Sequence, residues 1–264
     1  MKKYIQIALW IIAIGLVVGI LSFVTKKQND ALCTTISVSF LDTALYKYID
    51  ETHVTEIVQD GTGAIVGQPL SNLNIAKIEK KLNDDPYIKH AEVYKKINGE
   101  LSIEVIQRNP VIRIINSQNT SFYIGQEGVV MPISKKVQVR MIIANGHLNF
   151  RPDFDTITNI YSRNFDSDVD VKVLRDLHIL AVFINNNKFW DAQIQQVFVT
   201  EKGEFELIPL VGNHIIQFGG INRYEEKFRN LEATYKKGFP VKGWNKFNKV
   251  SLKYKNQVIC KKAE

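Results

Sequence analysis

The sequence predicts an α+β protein in three parts: an N-terminal transmembrane helix, a small domain of the order β-α-α-β-β, and a β-dominated domain with two helices. Three observations lead to this prediction: an uncharged N-terminal run, a stretch in which strand and helix patterns alternate, and a longer stretch of short strands. The composition of the 264 residues, 45% hydrophobic and 23% charged, is that of ordinary globular proteins. It excludes wholesale disorder and low-complexity scaffolds.

The net charge of +7 is concentrated at the two ends of the chain. Residues 28–226 carry 19 basic and 25 acidic residues, a net charge of −6, whereas residues 227–264 carry 11 basic and 2 acidic residues, a net charge of +9. A net-acidic middle argues against a nucleic-acid-binding body. The basic C-terminus is the feature that a function has to explain.

Residues 4–24 form an uncharged, mostly apolar run that predicts a single membrane span. At 1.5 Å of rise per residue this run is about 30 Å long, the thickness of a bilayer hydrocarbon core. A cleaved signal peptide would have a shorter apolar region and a small-residue cleavage site, whereas this run continues to Val24 and then Lys26 and Lys27. We therefore expect an uncleaved anchor with a tail at residues 1–3 and a linker at residues 25–32.

The charges that flank this span nearly balance, so they do not fix its orientation by themselves. Lys2 and Lys3 on one side are matched by Lys26 and Lys27 on the other. The free amino terminus and the three-residue tail favour an N-in protein whose remaining residues are extracytoplasmic. This placement would remove cytosolic nucleotides and chromosomal DNA as ready partners.

Residues 33–108 show the patterns of a strand, two helices and a hairpin. Residues 33–40 alternate apolar and polar side chains, which is typical of a half-buried strand. Asp50 and Asn74 are candidate helix N-caps, and Pro86 ends the second helix. Asn98-Gly99 suits a two-residue turn between strands at residues 88–97 and 100–107.

These residues resemble the POTRA domain of the FtsQ/DivIB family of bacterial cell-division proteins. The resemblance is carried by motifs in the family's order: GQPLS at 67–71, DPYI at 85–88, AEV at 91–93, GEL at 99–101 and VIQRNP at 105–110. The last motif looks like the family's junction leaving the POTRA domain, at Gln107, Arg108 and Pro110. The resemblance implies the same domain order for the rest of the chain.

Residues 109–264 are predicted to form the family's β domain. Strand patterns occur at 111–115, 121–124, 129–133, 139–144, 192–200, 204–210 and 213–218, with turn signals that include Asn145-Gly146. One helix is expected from an Asp170 cap to about Asn185, and another over residues 223–237 after Asn222. Gly238 and Pro240 are expected to end the second helix.

No enzymatic or metal-binding constellation is recognisable, and we predict no catalytic residue, no metal and no cofactor. Phosphate-binding, zinc-protease and serine-hydrolase motifs are absent from the sequence. The five histidines are dispersed, and each is expected to be a core or surface residue rather than a ligand. The acidic residues Asp166, Asp168 and Asp170, and the pair Glu204 and Glu206, are read as solvated turn, cap and strand positions.

The two cysteines, Cys33 and Cys260, lie far apart in the sequence. They could pair only if the fold brought their Cα atoms within about 7 Å, and we expect them not to pair.

The C-terminal segment from Trp244 to Cys260 is the strongest candidate for function. Val250, Leu252 and Tyr254 alternate with lysines and a serine, so a strand with one buried and one cationic face is expected. The lysines could simply protect an edge strand from self-association. Alternatively, the edge could accept a partner strand, with the lysines selecting an acidic partner.

The family resemblance favours the partner-binding alternative. In FtsQ proteins the last strand of the β domain is an edge that receives periplasmic segments of the single-pass proteins FtsB and FtsL. The residues expected to bind partners are Trp244, Phe247, Val250, Ser251, Leu252, Lys253, Tyr254 and Lys255.

The resemblance therefore implies a non-enzymatic scaffold of the division machinery, in the cytoplasmic membrane at the division septum. It would recruit FtsB- and FtsL-like bitopic partners by strand addition and link early division proteins to septal peptidoglycan synthesis. No nucleic acid and no small-molecule substrate are expected. Two alternatives stay open: a POTRA-type translocation or envelope-assembly factor, and an anchored cell-wall enzyme with an acidic pair among Asp166, Asp168, Glu204 and Glu206.

Overall fold

The computed structural model describes residues 10–19, 32–41, 47–60, 63–134, 136 and 139–263. The chain divides into two compact units, residues 1–107 and residues 108–264. Each unit has its own sheet.

The N-terminal region is described only in part. Residues 10–19 are helical (α1), and their side chains are exposed. The expected tail at 1–3, both ends of the expected span at 4–24 and the expected linker up to residue 31 lie outside the described residues. Within the described ranges, no helix combines the length and the apolar character that crossing a membrane requires.

The first unit is a three-stranded sheet with two helices, in the order β-α-α-β-β that the sequence predicts. Its elements are β1 (Thr35–Phe40), α2 (Glu51–Gln59), α3 (Ile75–Asn83), β2 (Ile88–Lys95) and β3 (Glu100–Gln107). The sheet order is β1-β3-β2, with β1 parallel and β2 antiparallel to the central β3. Val54, Val58, Ile78 and Leu82 of the helices are buried.

The capping predictions for this unit are confirmed, whereas the turn is longer than predicted: β2 ends at Lys95, and the N–H of Gly99 donates to the carbonyl of Lys96. The side chain of Asp50 accepts a hydrogen bond from the backbone N–H of His53, and Asn74 accepts one from Lys77. Gly99 has φ = 88° in the turn between β2 and β3, and a Cβ there would lie 2.8 Å from the carbonyl oxygen of Leu32. Both the dihedral angle and the close approach require glycine.

The second unit contains a nine-stranded mixed sheet with helices. Its elements are β4 (Pro110–Ile115), β5 (Ser121–Gly125), β6 (Val130–Pro132), β7 (Ile142–Gly146), α4 (Val169–Asn185), α5 (Lys188–Gln193), β8 (Ile194–Val199), β9 (Phe205–Pro209), β10 (Ile215–Gly219), α6 (Tyr224–Ala233), α7 (Phe239–Lys242), β11 (Phe247–Ser251) and β12 (Ile259–Lys262). The strand order is β12-β11-β10-β9-β8-β7-β4-β5-β6.

The helices cover one face of this sheet. Alternate strand residues such as Ile114, Val197 and Leu207 share a core cluster with Leu177 of α4 and Phe228 of α6. The other alternate residues form the second face of the sheet, which we call the open face. Its central side chains include Arg113, Ile143, Gln196, Glu206 and Gln217, all half-buried.

The structure corrects three sequence predictions in the second unit, at α4, α5 and β7. The N-cap of α4 is Asp168, which accepts from the N–H of Val171, and Asp170 lies in the first turn. The short helix α5 occupies residues expected to start a strand, because Asn187 caps it and Trp190 is buried in the core. Asn145 and Gly146 are the last residues of β7 rather than a turn, although Gly146 has φ = 105°.

The C-terminal helix also differs from its prediction. Arg223, with φ = 57° and no side-chain cap, precedes α6 in place of the expected Asn222 cap. The helix does not end at Gly238: a π-helical turn, Thr234–Gly238, leads directly into α7. Pro240 is tolerated there because it occupies the first turn of α7, where its missing N–H is not needed.

Candidate functional site

The C-terminal segment forms two strands rather than one. β11 pairs in parallel with β10 on one side and antiparallel with β12 on the other. The prediction that the strand around Val250 lies at the sheet edge is therefore wrong for β11. The strand order of the described residues ends at β12, so β12 (Ile259–Lys262) is the C-terminal edge strand and pairs with β11.

A short loop at residues 252–258 separates β11 from β12. The N–H of Leu252 donates to the carbonyl of Gln217, which extends the contact with β10 by one residue. Asn256 then adopts φ = 56°, a left-handed conformation that asparagine tolerates and that no regular strand contains. The chain reverses there, so Tyr254 and Lys255 lie in the loop.

Four of the residues predicted to bind a partner instead hold β11 to the core. Val250 and Leu252 are fully buried. The ring of Trp244 contacts the rings of Tyr235 and Phe239, with centroids 5.3 and 5.1 Å away, and Phe247 stacks on Phe239 at 5.8 Å. These aromatic contacts attach the start of β11 to the π-helical turn and to α7. Substitutions at these positions would therefore destabilise the fold, and a loss of partner binding could not be assigned to a lost contact with the partner.

The other four predicted residues remain near the surface. Ser251 is half-buried on the open face, and Lys253 forms an ion pair with Glu204. Tyr254 is 58% exposed and Lys255 is exposed. Of this group, Tyr254 and Lys255 have the accessibility that a binding partner needs.

The two edges of the nine-stranded sheet differ in their capacity to accept another strand. At the β6 edge, the N–H of Val130 donates to the carbonyl of Thr158 at 2.8 Å, and Pro132 ends the strand. That edge is closed, because the neighbouring segment already uses its backbone groups and proline lacks an N–H. At the β12 edge no described segment pairs on the outer side.

The surface around β12 combines apolar and basic groups. Ile259 is 47% exposed, and Lys249, Lys261 and Lys262 are exposed on β11 and β12. Cys260 faces the core, where burial raises the pKa of its thiol and keeps it protonated. The sequence prediction stopped at Lys255 and missed Ile259, although the apolar run Val258-Ile259-Cys260 after Asn256 was a signal for a second strand.

The junction residues are each fixed within their own unit. Gln107 is buried, and its side-chain oxygen accepts hydrogen bonds from the backbone N–H groups of Tyr48 and Ile49 at 3.0 and 3.3 Å. Arg108 lies 3.9 Å from a carboxylate oxygen of Glu127, and Pro110 is the first residue of β4. In the structure these side chains have local structural contacts.

The acidic candidates for catalysis are already engaged by other groups of the protein. Glu206 accepts a hydrogen bond from Gln217, Asp166 pairs with Arg175 at 3.1 Å, and Asp168 is the helix cap. Among the described residues, no group of three or more histidine, cysteine, aspartate or glutamate side chains is placed to hold a metal ion. The two cysteines are free thiols.

Two family models match the chain. Residues 31–106 match the POTRA-like domain, and residues 109–261 match the model described as FtsQ/DivIB, C-terminal related. Both are generally non-enzymatic scaffold domains, and the FtsQ/DivIB family acts in cell division through protein–protein interactions. No individual curated protein matches the sequence. Because the second model covers more than half of the chain, the protein belongs to the FtsQ/DivIB family.

Proposed function

We propose that this protein is a scaffold of the division machinery that binds FtsB- and FtsL-like partners by strand addition at the outer edge of β12. The observation that carries the proposal is the asymmetry of the sheet: its β6 edge is closed by hydrogen bonds and Pro132, whereas β12 has no neighbour on its outer side among the described residues. An added strand would satisfy backbone groups of β12 and continue the sheet.

The side chains around the edge suit an amphipathic, acidic partner. Ile259 and Tyr254 offer apolar surface, and lysines surround them. The net charge of +9 over residues 227–264 would raise the rate of encounter with an acidic segment and disfavour a basic one. Membrane anchoring through residues 4–24, with the two units outside the cytoplasm, would place β12 where bitopic partners present their extracytoplasmic segments.

A capture experiment tests this assignment. The full chain in detergent micelles is immobilised, and binding of the FtsB- and FtsL-type ectodomains is measured for the wild type and for Ile259→Asp. We expect at least a tenfold loss of affinity, because the aspartate places an unfavourable charge in an apolar contact and beside acidic partner residues. The matched control is Val241→Asp, since Val241 is 78% exposed but lies on α7, outside β12.

The outcomes separate the parts of the proposal. Equal binding by Ile259→Asp and the wild type would overturn the β12 assignment. Absence of binding by the wild type would overturn the choice of partners. Depletion of the protein in cells should produce smooth filaments, rescued by a fluorescent fusion that concentrates at midcell; cells of normal length would contradict a role in division.

A further inference from the structure

The open face of the large sheet contains a cavity that the proposed function does not use. The cavity has a volume of about 610 Å³, within the usual range of ligand sites. Its lining includes Arg113, Tyr123, Ile143 and Gln196, from four different strands. The loop residue Arg140 and Asp191 of α5 also line it.

Strand register places the four strand residues in one row. Arg113 of β4 lies opposite Tyr123 of β5 and Ile143 of β7, and Ile143 lies opposite Gln196 of β8. Residues directly opposite each other project from the same face, so the row crosses four strands, or about 14 Å. A row of this length is sufficient for several residues of an extended peptide.

Arg113 is the unusual member of this row. Its Nε is buried and has no hydrogen-bond partner, and one of its terminal NH₂ groups donates to Ser121 Oγ at 3.3 Å. The partner in that hydrogen bond is a neutral hydroxyl, and Asp191 is the acidic residue of the same lining. A half-buried guanidinium whose Nε lacks an acceptor is unfavourable, and its planar array of donors matches a carboxylate in a bidentate geometry.

The rest of the lining favours a carboxylate over a phosphate. Arg113, Arg140 and Asp191 together give the lining one net positive charge, which balances a monoanion but not a dianion. Ile143, Val139 and Met141 add apolar surface. A free inorganic anion would leave this apolar surface unused, whereas a peptide with apolar residues beside an acidic one would cover it.

We infer that this cavity is a second binding site of the β domain, which takes a carboxylate-bearing peptide through Arg113. The site lies on the open face, and five strands separate β4, which carries Arg113, from β12 in the sheet order, so the site does not depend on strand addition at β12. The carboxylate could come from an acidic side chain or from a peptide C-terminus.

Calorimetric titration of the full chain in detergent micelles distinguishes these sources. One probe is an acetylated and amidated pentapeptide with a central glutamate between isoleucines. The second probe has glutamine in place of glutamate. The third has the glutamine sequence with a free C-terminal carboxylate, and inorganic phosphate is the fourth.

We expect the glutamate peptide to bind at least tenfold more tightly than the amidated glutamine peptide, and to lose this advantage in Arg113→Gln. Tight binding of the free C-terminal peptide alone would support the same site with a terminal carboxylate as its ligand. Hydrogen exchange at residues 139–143 and 194–196 should slow when the peptide binds. Arg113→Lys keeps the charge without the planar donors and should bind with intermediate affinity.

The matched control is Arg163→Gln, because Arg163 is exposed in the same unit and does not line the cavity. The control should bind as the wild type does. Equal affinity for the glutamate peptide, the amidated glutamine peptide and the peptide with a free C-terminal carboxylate would overturn the inference. Unchanged binding by Arg113→Gln with a normal thermal unfolding midpoint, or phosphate binding as tight as peptide binding, would also overturn it. If Arg113→Gln unfolds, the inference is tested by the affinity of the Arg113→Lys variant and by the comparison of the peptides on the wild type.

Discussion

Lys253 and Glu204 form an ion pair that joins the loop after β11 to the segment before β9. The pair connects residues 49 positions apart in the sequence, and both side chains are partly exposed. Lys253 therefore has a structural partner inside the protein and is a poor choice for a binding test by charge reversal. Changes at Lys253 act on the fold near the site as well as on its surface charge.

Charge reversal at Lys253 is expected to lower thermal stability. Lys253→Glu would place a second carboxylate beside Glu204 and replace attraction with repulsion, an effect of about 1 kcal/mol at low salt. The double variant Lys253→Glu with Glu204→Lys should recover most of the loss, and 1 M salt should shrink the difference. The control Lys255→Glu, at an exposed loop lysine, should leave the midpoint nearly unchanged. A double variant no more stable than the single one would argue against a direct pair.

Local patterns in the sequence were sufficient to predict the first unit. The alternation in β1, the caps Asp50 and Asn74, and the position of a turn at Asn98-Gly99 each depend on neighbours within a few residues. Such signals can be read without knowledge of the tertiary structure. The alternation after Trp244 predicted the burial of Val250 and Leu252 correctly, but it also placed Tyr254 on the buried face, whereas Tyr254 is 58% exposed in the loop.

The position of a strand within a sheet was not predictable in this way. Whether β11 is an edge depends on whether the chain returns beside it, and a single left-handed residue, Asn256, decides that. Lys227 is a second example: it belongs to the basic C-terminal region by sequence, yet it is buried. Its partners are the backbone carbonyls of Phe218 and Gly220. Every residue has a backbone carbonyl, so the order of side chains in the sequence does not indicate which carbonyls will bind the lysine.

Buried histidines should make the stability of the second unit depend on pH. His178 Nε2 donates to the carbonyl of Gly125 at 3.0 Å, and its Nδ1 accepts from the hydroxyl of Tyr161 at 2.8 Å, so the neutral ring satisfies both partners. Burial lowers the pKa of His178 and also that of His214. The unfolded chain, with a histidine pKa of about 6.5, therefore binds more protons than the folded chain in mildly acidic solution.

Stability should consequently be full above about pH 7 and fall as the pH drops through 6.5 toward the lowered folded pKa values, by at most about 1.4 kcal/mol per pH unit for each histidine. Chemical denaturation of the full chain between pH 5 and 8 measures this slope. A His214→Phe variant should show a shallower slope, and His147→Phe, at an exposed position, should not. A flat profile for the wild type would contradict the buried neutral state.

Removing the amino group of Lys227 should destabilise the unit. Its Nζ donates to the carbonyls of Phe218 and Gly220 at 2.9 and 2.6 Å and lies 4.7 Å from the centroid of the Phe218 ring. Lys227→Met keeps the aliphatic length but leaves two carbonyls without this donor, at a cost of roughly 1 to 3 kcal/mol. Lys237→Met, at an exposed position of the π-helical turn, is the control. Equal unfolding midpoints for the two variants would show that water replaces the lysine without loss.

Gln107 should stabilise the backbone that precedes α2 through two hydrogen bonds. Its side-chain oxygen accepts from the N–H groups of Tyr48 and Ile49, and all three residues are buried. In Gln107→Ala both donors lose this acceptor, so these amides should exchange with solvent much faster, and the first unit should lose roughly 1 to 3 kcal/mol of stability. Hydrogen-exchange mass spectrometry over residues 47–50 measures the local effect.

Two further variants serve as controls for the exchange measurement on Gln107→Ala. Gln126→Ala, at an exposed position in the second unit, should leave exchange at residues 47–50 unchanged. Gln107→Glu should preserve most of the protection, because a carboxylate oxygen also accepts hydrogen bonds from backbone N–H groups, although its burial would raise its pKa and make the protection weaken in acid. If these amides exchanged as slowly in Gln107→Ala as in the wild type, the hydrogen bonds from Tyr48 and Ile49 to Gln107 would not be what protects them.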